Sequence, residues 1–254
     1  IEEEVRTHCP LVYYHVWDNY PYPTFNKKFY MSNDAIASIS KVTADIVETV
    51  APDVTHRYIP HAVPPVFSPV PENVRKKFRE DNFGAYEDKF VIVWNNGHDN
   101  AMMIMHTDTK DPHGQDLDAI VRELKMVEGQ IQFSRQKMAP EHLALLYGCA
   151  DVTINISDAE GFGLATLESL ACETPVIVNM TGGLQEQVTA LFTMYEKTHK
   201  QRRKMGTDGR KYLEKNYNFE KFEESWVDFM DKIIEENGSW KTRKNYNAWE
   251  QIQL

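Results

Sequence analysis

The first sixty residues alternate short apolar runs with one helical stretch. Apolar runs at 11–17, 34–40 and 57–60 predict three strands. Residues 41–50 repeat their apolar positions at helical spacing, so we expect a helix between the second and third strands. A strand followed by a helix and another strand is typical of an α/β domain.

A proline-rich segment, H-A-V-P-P-V-F-S-P at residues 61–69, follows the third strand. Because proline fixes φ and lacks an N–H donor, this segment predicts an extended connector and a domain boundary. The expected organisation is the last part of a first α/β domain over residues 1–60, a linker and helix over 61–88, a second α/β domain over 89–236 and a tail over 237–254.

Beyond the linker, predicted strands and helices alternate. We expect a polar helix over 72–80, and the continuous apolar run at 89–96 is typical of a parallel strand covered on both faces. The further predicted strands are 101–107, 131–134, 152–156 and 175–178. The further predicted helices are 117–123, 140–149, 164–172, 202–216 and 219–236, the last with Asn218 as its N-cap. This alternation predicts a doubly wound parallel sheet.

Two connections are shorter than this architecture requires. Only a few residues separate the strands at 89–96 and 101–107, whereas a parallel crossover takes about ten to twelve. Either these strands form a hairpin or chain is missing near 97–101. A second break falls near 188–191, where a glycine-containing loop runs directly into the next stretch, and chain is also expected to be missing before residue 1.

Composition narrows the classes of function. The 254 residues are 42% hydrophobic, enough for a buried core, and carry a formal net charge of -10. This charge argues against an extended nucleic-acid surface. No window approaches the roughly 20 apolar residues of a transmembrane helix, and no signal peptide opens the chain. Three cysteines without C-x-x-C spacing predict a reducing, cytoplasmic location.

The turn S-D-A-E-G-F-G, residues 157–163, is the main candidate for chemistry. It follows a predicted strand and opens a helix, and ligands of open α/β sheets bind beyond the carboxyl ends of strands. Gly161 and Gly163 let main-chain N–H groups approach an anion, and the helix directs its positive end at the same point. A diphosphate fits this arrangement.

Two carboxylates, Glu160 and Glu168, bracket this turn. Carboxylates accept paired hydrogen bonds from sugar hydroxyls, so two of them around a diphosphate site predict a nucleotide sugar. On spacing alone, a tight structural turn followed by a surface glutamate accounts for the pattern equally well.

The string E-G-F-G-L-A-T-L-E-S-L-A-C-E-T-P-V-I, which starts at Glu160, resembles the E-x(7)-E motif of retaining GT-B glycosyltransferases. Residues 58–63 resemble the I-P-N-G-V linker of that family, residues 145–151 its L-Y-x-x-A-D helix end, and residues 181–186 its G-G-x-x-E loop. The resemblance implies an α/β GT-B fold with two Rossmann-like doubly wound parallel-sheet domains, the N-terminal one only partly represented.

The resemblance also implies residue roles. Glu160 would contact the hydroxyls of the donor hexose and Glu168 the ribose. The turn residues that would hold the transferred sugar and the diphosphate are Gly161, Phe162, Gly163, Leu164 and Ala165. Lys137 and Met138 would border the base. His15 and Asp18 lie where the family often presents a catalytic side chain from its N-terminal domain, although a histidine at a strand end is more often structural.

The implied activity is transfer of a hexose from a nucleotide-diphosphate sugar to an acceptor hydroxyl with retention and without a metal. One departure is the sequence G-H-D-N-A-M-M at residues 97–103, where the family has an arginine and a lysine that neutralise the diphosphate. A nucleotide-sugar epimerase or hydrolase, and a non-catalytic nucleotide-sugar-binding protein, are the alternatives. The acceptor is unknown, and peripheral membrane contact through the absent part of the N-terminal domain stays open.

Overall fold

Two parallel β-sheets organise the chain in this computed structural model. The residues that the structure describes are 2–84, 87–93, 101–112, 114–126, 130–187 and 198–244. The first sheet contains β1 (Val12–His15), β2 (Ala35–Ser38) and β3 (His56–Tyr58) in that order. Both of its strand pairs are parallel.

The second sheet has five strands. They are β4 (Phe90–Val93), β5 (Ala101–His106), β6 (Ile131–Ser134), β7 (Val152–Asn155) and β8 (Val176–Val178). Their order is β6-β5-β4-β7-β8, and every pair is parallel. Because the chain adds strands first on one side of β4 and then on the other, the predicted doubly wound topology is confirmed.

The pairing of β4 with β5 decides between the two readings of their short connection. Phe90 lies opposite Ala101 and Val93 opposite Ile104 in a parallel register. A hairpin would pair its strands antiparallel, so the hairpin alternative is wrong. The segments where chain was expected to be missing, near 97–101 and near 188–191, fall on or beside residues 94–100 and 188–197, which lie outside the described residues.

Two α-helices of the described residues connect the strands of the first sheet, namely α1 (Lys27–Ser32) and α2 (Lys41–Val50). The Ser40 hydroxyl accepts a hydrogen bond from the Thr43 N–H at 3.2 Å, and the Ser40 N–H donates to the Thr43 hydroxyl at 2.9 Å. This reciprocal cap fixes the start of α2, because the first N–H groups of a helix have no partner within it. Four buried side chains on its inner face cover the sheet.

The linker ends in α3 (Glu72–Phe83), which is fastened to the second sheet by one buried carboxylate. Asp151, directly before β7, accepts hydrogen bonds from Arg75 Nη2 and Arg79 Nη1, both at 3.2 Å. It also accepts one from the N–H of Val91 in β4 at 3.0 Å. A cavity of about 480 Å³ borders this cluster at the amino ends of the strands, whereas the candidate turn lies at their carboxyl ends.

Four helices are interspersed with the strands of the second sheet. They are α4 (Leu117–Glu123), α5 (Pro140–Cys149), α6 (Leu164–Ala171) and α7 (Leu184–Gln187). The largest core cluster joins α5 and α6 through Tyr147, Leu167 and Leu170. This packing holds α6, which follows the candidate turn, firmly against the sheet.

The last two helices are α8 (His199–Asn216) and α9 (Phe219–Asn237). The predicted cap of α9 is confirmed, because Asn218 Oδ1 accepts a hydrogen bond from the N–H of Lys221 at 2.9 Å. Phe229 and Ile233 of α9 pack in one cluster with buried residues of β2 and with Ile59. The second domain expected over residues 89–236 thus ends in a helix whose buried face lies on the first sheet.

The last described residues return to the first domain. The Arg243 guanidinium forms a buried ion pair with Asp34 at 2.5 Å, and its Nε donates to the carbonyl of Arg6 at 2.9 Å. None of the helices in the described part of the chain combines the length and the apolar character that a membrane crossing needs.

Candidate functional site

The turn between β7 and α6 is held by its own glutamate. Glu160 Oε1 accepts a hydrogen bond from the N–H of Gly163 at 3.0 Å, and Asn155 Nδ2 lies 3.5 Å from Glu160 Oε2. Gly163 has a φ of +91°, in the left-handed region that glycine adopts without steric cost. The half-buried carboxylate therefore shapes the turn and retains lone pairs for further donors.

A second loop presses two glycines against this turn. A Cβ on Gly182 would lie 1.9 Å from the carbonyl oxygen of Glu160, and one on Gly183 would lie 2.6 Å from the Cα of Phe162. The N–H of Gly183 donates to the same Glu160 carbonyl at 2.8 Å. The two loops therefore form one unit that tolerates no side chain at these glycines.

The ring of Phe162 anchors the turn in the core. It is buried and contacts the rings of His61 and Tyr217 edge-on, at centroid distances of 5.4 and 5.8 Å. Because the Phe162 ring is buried in the core, the groups of this residue that a ligand could contact are those of the main chain.

The N-terminus of α6 begins directly after the turn, at the place where the sequence predicts an anion site. The carbonyl of Gly163 accepts from the N–H groups of Thr166 and Leu167 at 3.1 and 3.3 Å. Leu164 and Ala165, in the first turn, are exposed. Their N–H groups have no acceptor within the helix and, together with the helix dipole, favour an anion beyond its end.

Glu168 lies one turn into α6 and is half-buried. Burial raises the pKa of its carboxyl, and a hydrogen bond from the Tyr147 hydroxyl to Oε2, at 3.2 Å, lowers the pKa in part. Sequence reasoning did not single out Tyr147 as a site residue, although it is the tyrosine of the L-Y-x-x-A-D stretch.

A cleft of about 1000 Å³ opens at the carboxyl ends of β4, β5 and β7. Its lining includes Ala165 of the helix start, together with Tyr147 and Asn155, which contact the two glutamates. Lys137 and Met138, expected to border the base, follow β6 at the same edge of the sheet. They line a separate cavity of about 680 Å³.

The loop after β1 meets the turn from the first domain. A Cβ on Gly161 would lie 3.1 Å from the carbonyl oxygen of Val16 and 3.7 Å from Asp18 Oδ2. Of the two residues expected from the first domain, Asp18 is thus brought to the turn. His15 is fully buried, and its Nε2 lies 2.7 Å from the Tyr30 hydroxyl. Burial lowers the pKa of His15 to about 4, which keeps the ring neutral at neutral pH.

A direct polar contact links the second loop to the first domain. Glu186 Oε2 accepts a hydrogen bond from the Tyr58 hydroxyl at 2.8 Å, and Oε1 accepts one from the N–H of Lys41. The sequence pointed to Glu186 only as part of the G-G-x-x-E resemblance. Among the residues that the structure describes, no group of three or more His, Cys, Asp or Glu side chains could hold a metal ion.

Comparison with known proteins identifies one family. The family of "Glycosyl transferases group 1" matches residues 115–241. A D-inositol 3-phosphate glycosyltransferase of Acidothermus cellulolyticus is 49% identical over 51 residues, which are 20% of this chain and 11% of that protein. A GDP-mannose-dependent alpha-(1-6)-phosphatidylinositol dimannoside mannosyltransferase of Mycobacterium tuberculosis is 50% identical over 48 residues, 19% of this chain and 13% of that protein. The matched segments thus span only a small part of these relatives.

Solved structures share the fold at low sequence identity. Sucrose-phosphate synthase from Thermosynechococcus elongatus superposes with a TM-score of 0.67 and 18% identity, covering 83% of this chain and 61% of that one. Anabaena Alr3699/HepE in complex with UDP and glucose gives a TM-score of 0.73 and 13% identity, covering 88% of this chain and 72% of that one. The chain has the GT-B architecture, and the family match covers half of its length. The chain therefore belongs to the glycosyl transferases group 1 family.

Proposed function

We propose that the chain transfers a hexose from a nucleotide-diphosphate sugar to an acceptor hydroxyl with retention of configuration. The observation that carries the proposal is the turn at residues 160–163, where a left-handed glycine opens α6 between two carboxylates. The helix end suits a diphosphate, and each carboxylate suits a pair of sugar hydroxyls. The UDP-bound Anabaena structure, which has the same fold, adds support for a nucleotide-sugar donor.

The roles follow from position. Glu160 and Asp18 take the hydroxyls of the transferred hexose, because both border Gly161 or the turn around it. Glu168 takes the ribose from inside α6. The N–H groups of Leu164 and Ala165 hold the diphosphate, and the base lies toward Lys137 and Met138. His15 acts through packing in this proposal, because its imidazole is buried against Tyr30.

The proposed reaction takes place on one face of the sugar. The acceptor oxygen forms a bond to the anomeric carbon while the bond from that carbon to the phosphate oxygen breaks. The nucleoside diphosphate leaves with the electron pair, and its released phosphate oxygen takes the acceptor proton. Negative charge develops on the phosphate, where the N-terminus of α6 stabilises it without a metal in this proposal.

The test follows the donor and the product together. Incubation with UDP-, GDP- and ADP-hexoses and a panel of glycosides should release nucleoside diphosphate in step with a new glycosidic bond, and NMR should show that the anomeric configuration is retained. Glu160→Ala should abolish transfer. Donor consumption without an acceptor would identify a hydrolase or epimerase, and inversion would overturn the proposed stereochemistry.

Binding without turnover would support a non-catalytic protein. One sequence feature favours that second candidate, namely the absence of an arginine and a lysine in G-H-D-N-A-M-M at residues 97–103. A basic pair at this place would neutralise the leaving diphosphate.

A further inference from the structure

The loop after β1 exposes large aromatic rings beside the candidate site. Tyr20 and Phe25 keep 86% and 76% of their surface in solvent. Trp17 and Tyr22, half-buried, contact them. We call these four residues the aromatic ledge. Large aromatic rings left exposed within one loop mark a binding surface, so the ledge is surface that a ligand is expected to cover.

The rings of the ledge form two edge-to-face pairs. Trp17 and Phe25 meet edge to face with centroids 5.7 Å apart, and Tyr20 and Tyr22 do so at 5.6 Å. The indole Nε1 of Trp17 donates to the carbonyl of Asn19 at 2.9 Å. These contacts fix the rings in defined orientations, which lowers the entropy that a ligand must overcome on binding.

The ledge belongs to the same loop that reaches the donor turn. Val16 and Asp18, which flank Trp17, are the residues that border Gly161, at 3.1 and 3.7 Å from its Cβ position. A molecule on the ledge therefore lies on the first-domain side of the proposed donor site. In the proposed transfer, the acceptor reaches the anomeric carbon from this side.

We infer that the aromatic ledge binds a sugar ring of the acceptor, which makes the acceptor a carbohydrate. This inference rests on the proposed transfer reaction. A sugar ring has an apolar C–H face and a polar rim, and tyrosine and tryptophan match both. Asn19 supplies a side-chain amide for the hydroxyls at the rim.

A membrane surface fits the loop less well. Lys27 and Lys28, which follow the ledge, are exposed. Anionic lipid headgroups, however, attract clusters of several basic residues, whereas this loop carries Asp18 and the chain has a net charge of -10. Vesicle binding therefore serves as the opposing outcome in the test.

The test uses saturation-transfer NMR on the full chain with chitotriose, maltotriose and mannotriose as probes, with and without nucleoside diphosphate. At least one trisaccharide should receive saturation at its ring C–H protons. The double substitution Tyr20→Ala and Phe25→Ala should weaken its binding about tenfold, since two stacking contacts are lost. Phe219→Ala, which truncates a ring 49% exposed at the start of α9, should leave binding unchanged.

The controls separate this inference from the proposed function. The double variant should keep the thermal stabilisation that a nucleotide sugar gives the unsubstituted chain. The inference is overturned if no trisaccharide receives saturation or if the double variant binds like the unsubstituted chain. It is also overturned if the substitutions remove only binding to phosphatidylcholine–phosphatidylglycerol vesicles. Absence of stabilisation by every nucleotide sugar would instead count against the proposed function.

Discussion

Tyr58 and Glu186 connect the two domains through a hydrogen bond of 2.8 Å from the tyrosine hydroxyl to the carboxylate. The other oxygen of this carboxylate accepts the N–H of Lys41 at the start of α2. The loop that carries Glu186 also presses Gly182 and Gly183 onto the candidate turn. The geometry of the turn is thereby coupled to the position of the first domain.

Removal of this hydroxyl should weaken the coupling. Tyr58→Phe is expected to lower the free energy of unfolding by about 1 to 2 kcal/mol, because the half-buried Glu186 carboxylate loses one of the two donors that the described residues give it. Urea titration measures the difference. Tyr20→Phe is the control, since its side chain is 86% exposed and lies far from Glu186 in the sequence. Equal effects of the two substitutions would contradict the account.

Gly182→Ala should damage the fold far more than substitution of a glycine that has a similar φ elsewhere. Gly182 and Gly84 have similar positive φ values, +46° and +54°, but a Cβ on Gly84 meets no atom of the other described residues within 4 Å. Gly84 also has a ψ of -123°, so Gly84→Ala should cost about 2 kcal/mol from backbone strain alone. Gly182→Ala adds a clash with Glu160 and should also abolish donor binding. Thermal unfolding and calorimetric titration would show the contrast, and retained donor affinity in Gly182→Ala would refute it.

His15 should make folding sensitive to acid. Its folded pKa of about 4 lies below the ordinary value of 6.5, so the unfolded chain binds the proton more readily between these values. Stability is therefore lost as pH falls from 6.5 towards 4, by on the order of 3 kcal/mol from this group. His15→Gln should flatten that part of the stability curve, as measured by urea unfolding at several pH values.

The same substitution separates packing from catalysis. Loss of transfer in His15→Gln, with an unchanged dependence of stability on pH, would assign the imidazole to the substrate instead.

Through its hydrogen bond to Glu168, Tyr147 should influence the pH below which donor affinity falls. Burial raises the pKa of the Glu168 carboxyl. Because the ionised form is the one that accepts ribose hydroxyls, donor affinity should begin to fall at a higher pH than it would with an ordinary glutamate. Tyr147→Phe removes the hydrogen bond that lowers this pKa, so donor affinity should fall at a still higher pH. Calorimetric Kd values across pH test this, with Tyr13→Phe in β1 as control. If donor affinity in Tyr147→Phe fell at the same pH or at a lower pH, the proposed effect of Tyr147 on Glu168 would be disproved.

Much of the fold could be predicted because local patterns carry it. Each predicted strand is present, usually shortened at its ends, and the bounds of α2, α4 and α5 match the predicted ones. Strands appear longer in sequence because flanking apolar residues such as Trp17 continue the pattern after the hydrogen-bonded ladder has ended. Helix α1 was not predicted, because its six residues are too few to show a helical period.

Long-range relationships could not be predicted in the same way. The sequence shows the apolar face of α9 but not that the first sheet covers it, since a period identifies a face and not its partner. Strand direction is equally invisible to a local pattern, which is why β4 and β5 could be read as a hairpin. The motif located Glu160 and Glu168, whereas the donors of their hydrogen bonds emerge only in three dimensions.

The most direct test is whether a nucleotide sugar binds at this turn. Melting temperatures should be measured with UDP-, GDP- and ADP-sugars for the unsubstituted chain, for Glu168→Ala, and for Glu224→Ala, an exposed carboxylate on α9. Because a ligand that binds only the native state raises the melting temperature, at least one nucleotide sugar should stabilise the unsubstituted chain and Glu224→Ala alike, but not Glu168→Ala. No stabilisation by any donor, or undiminished stabilisation of Glu168→Ala, would contradict the account.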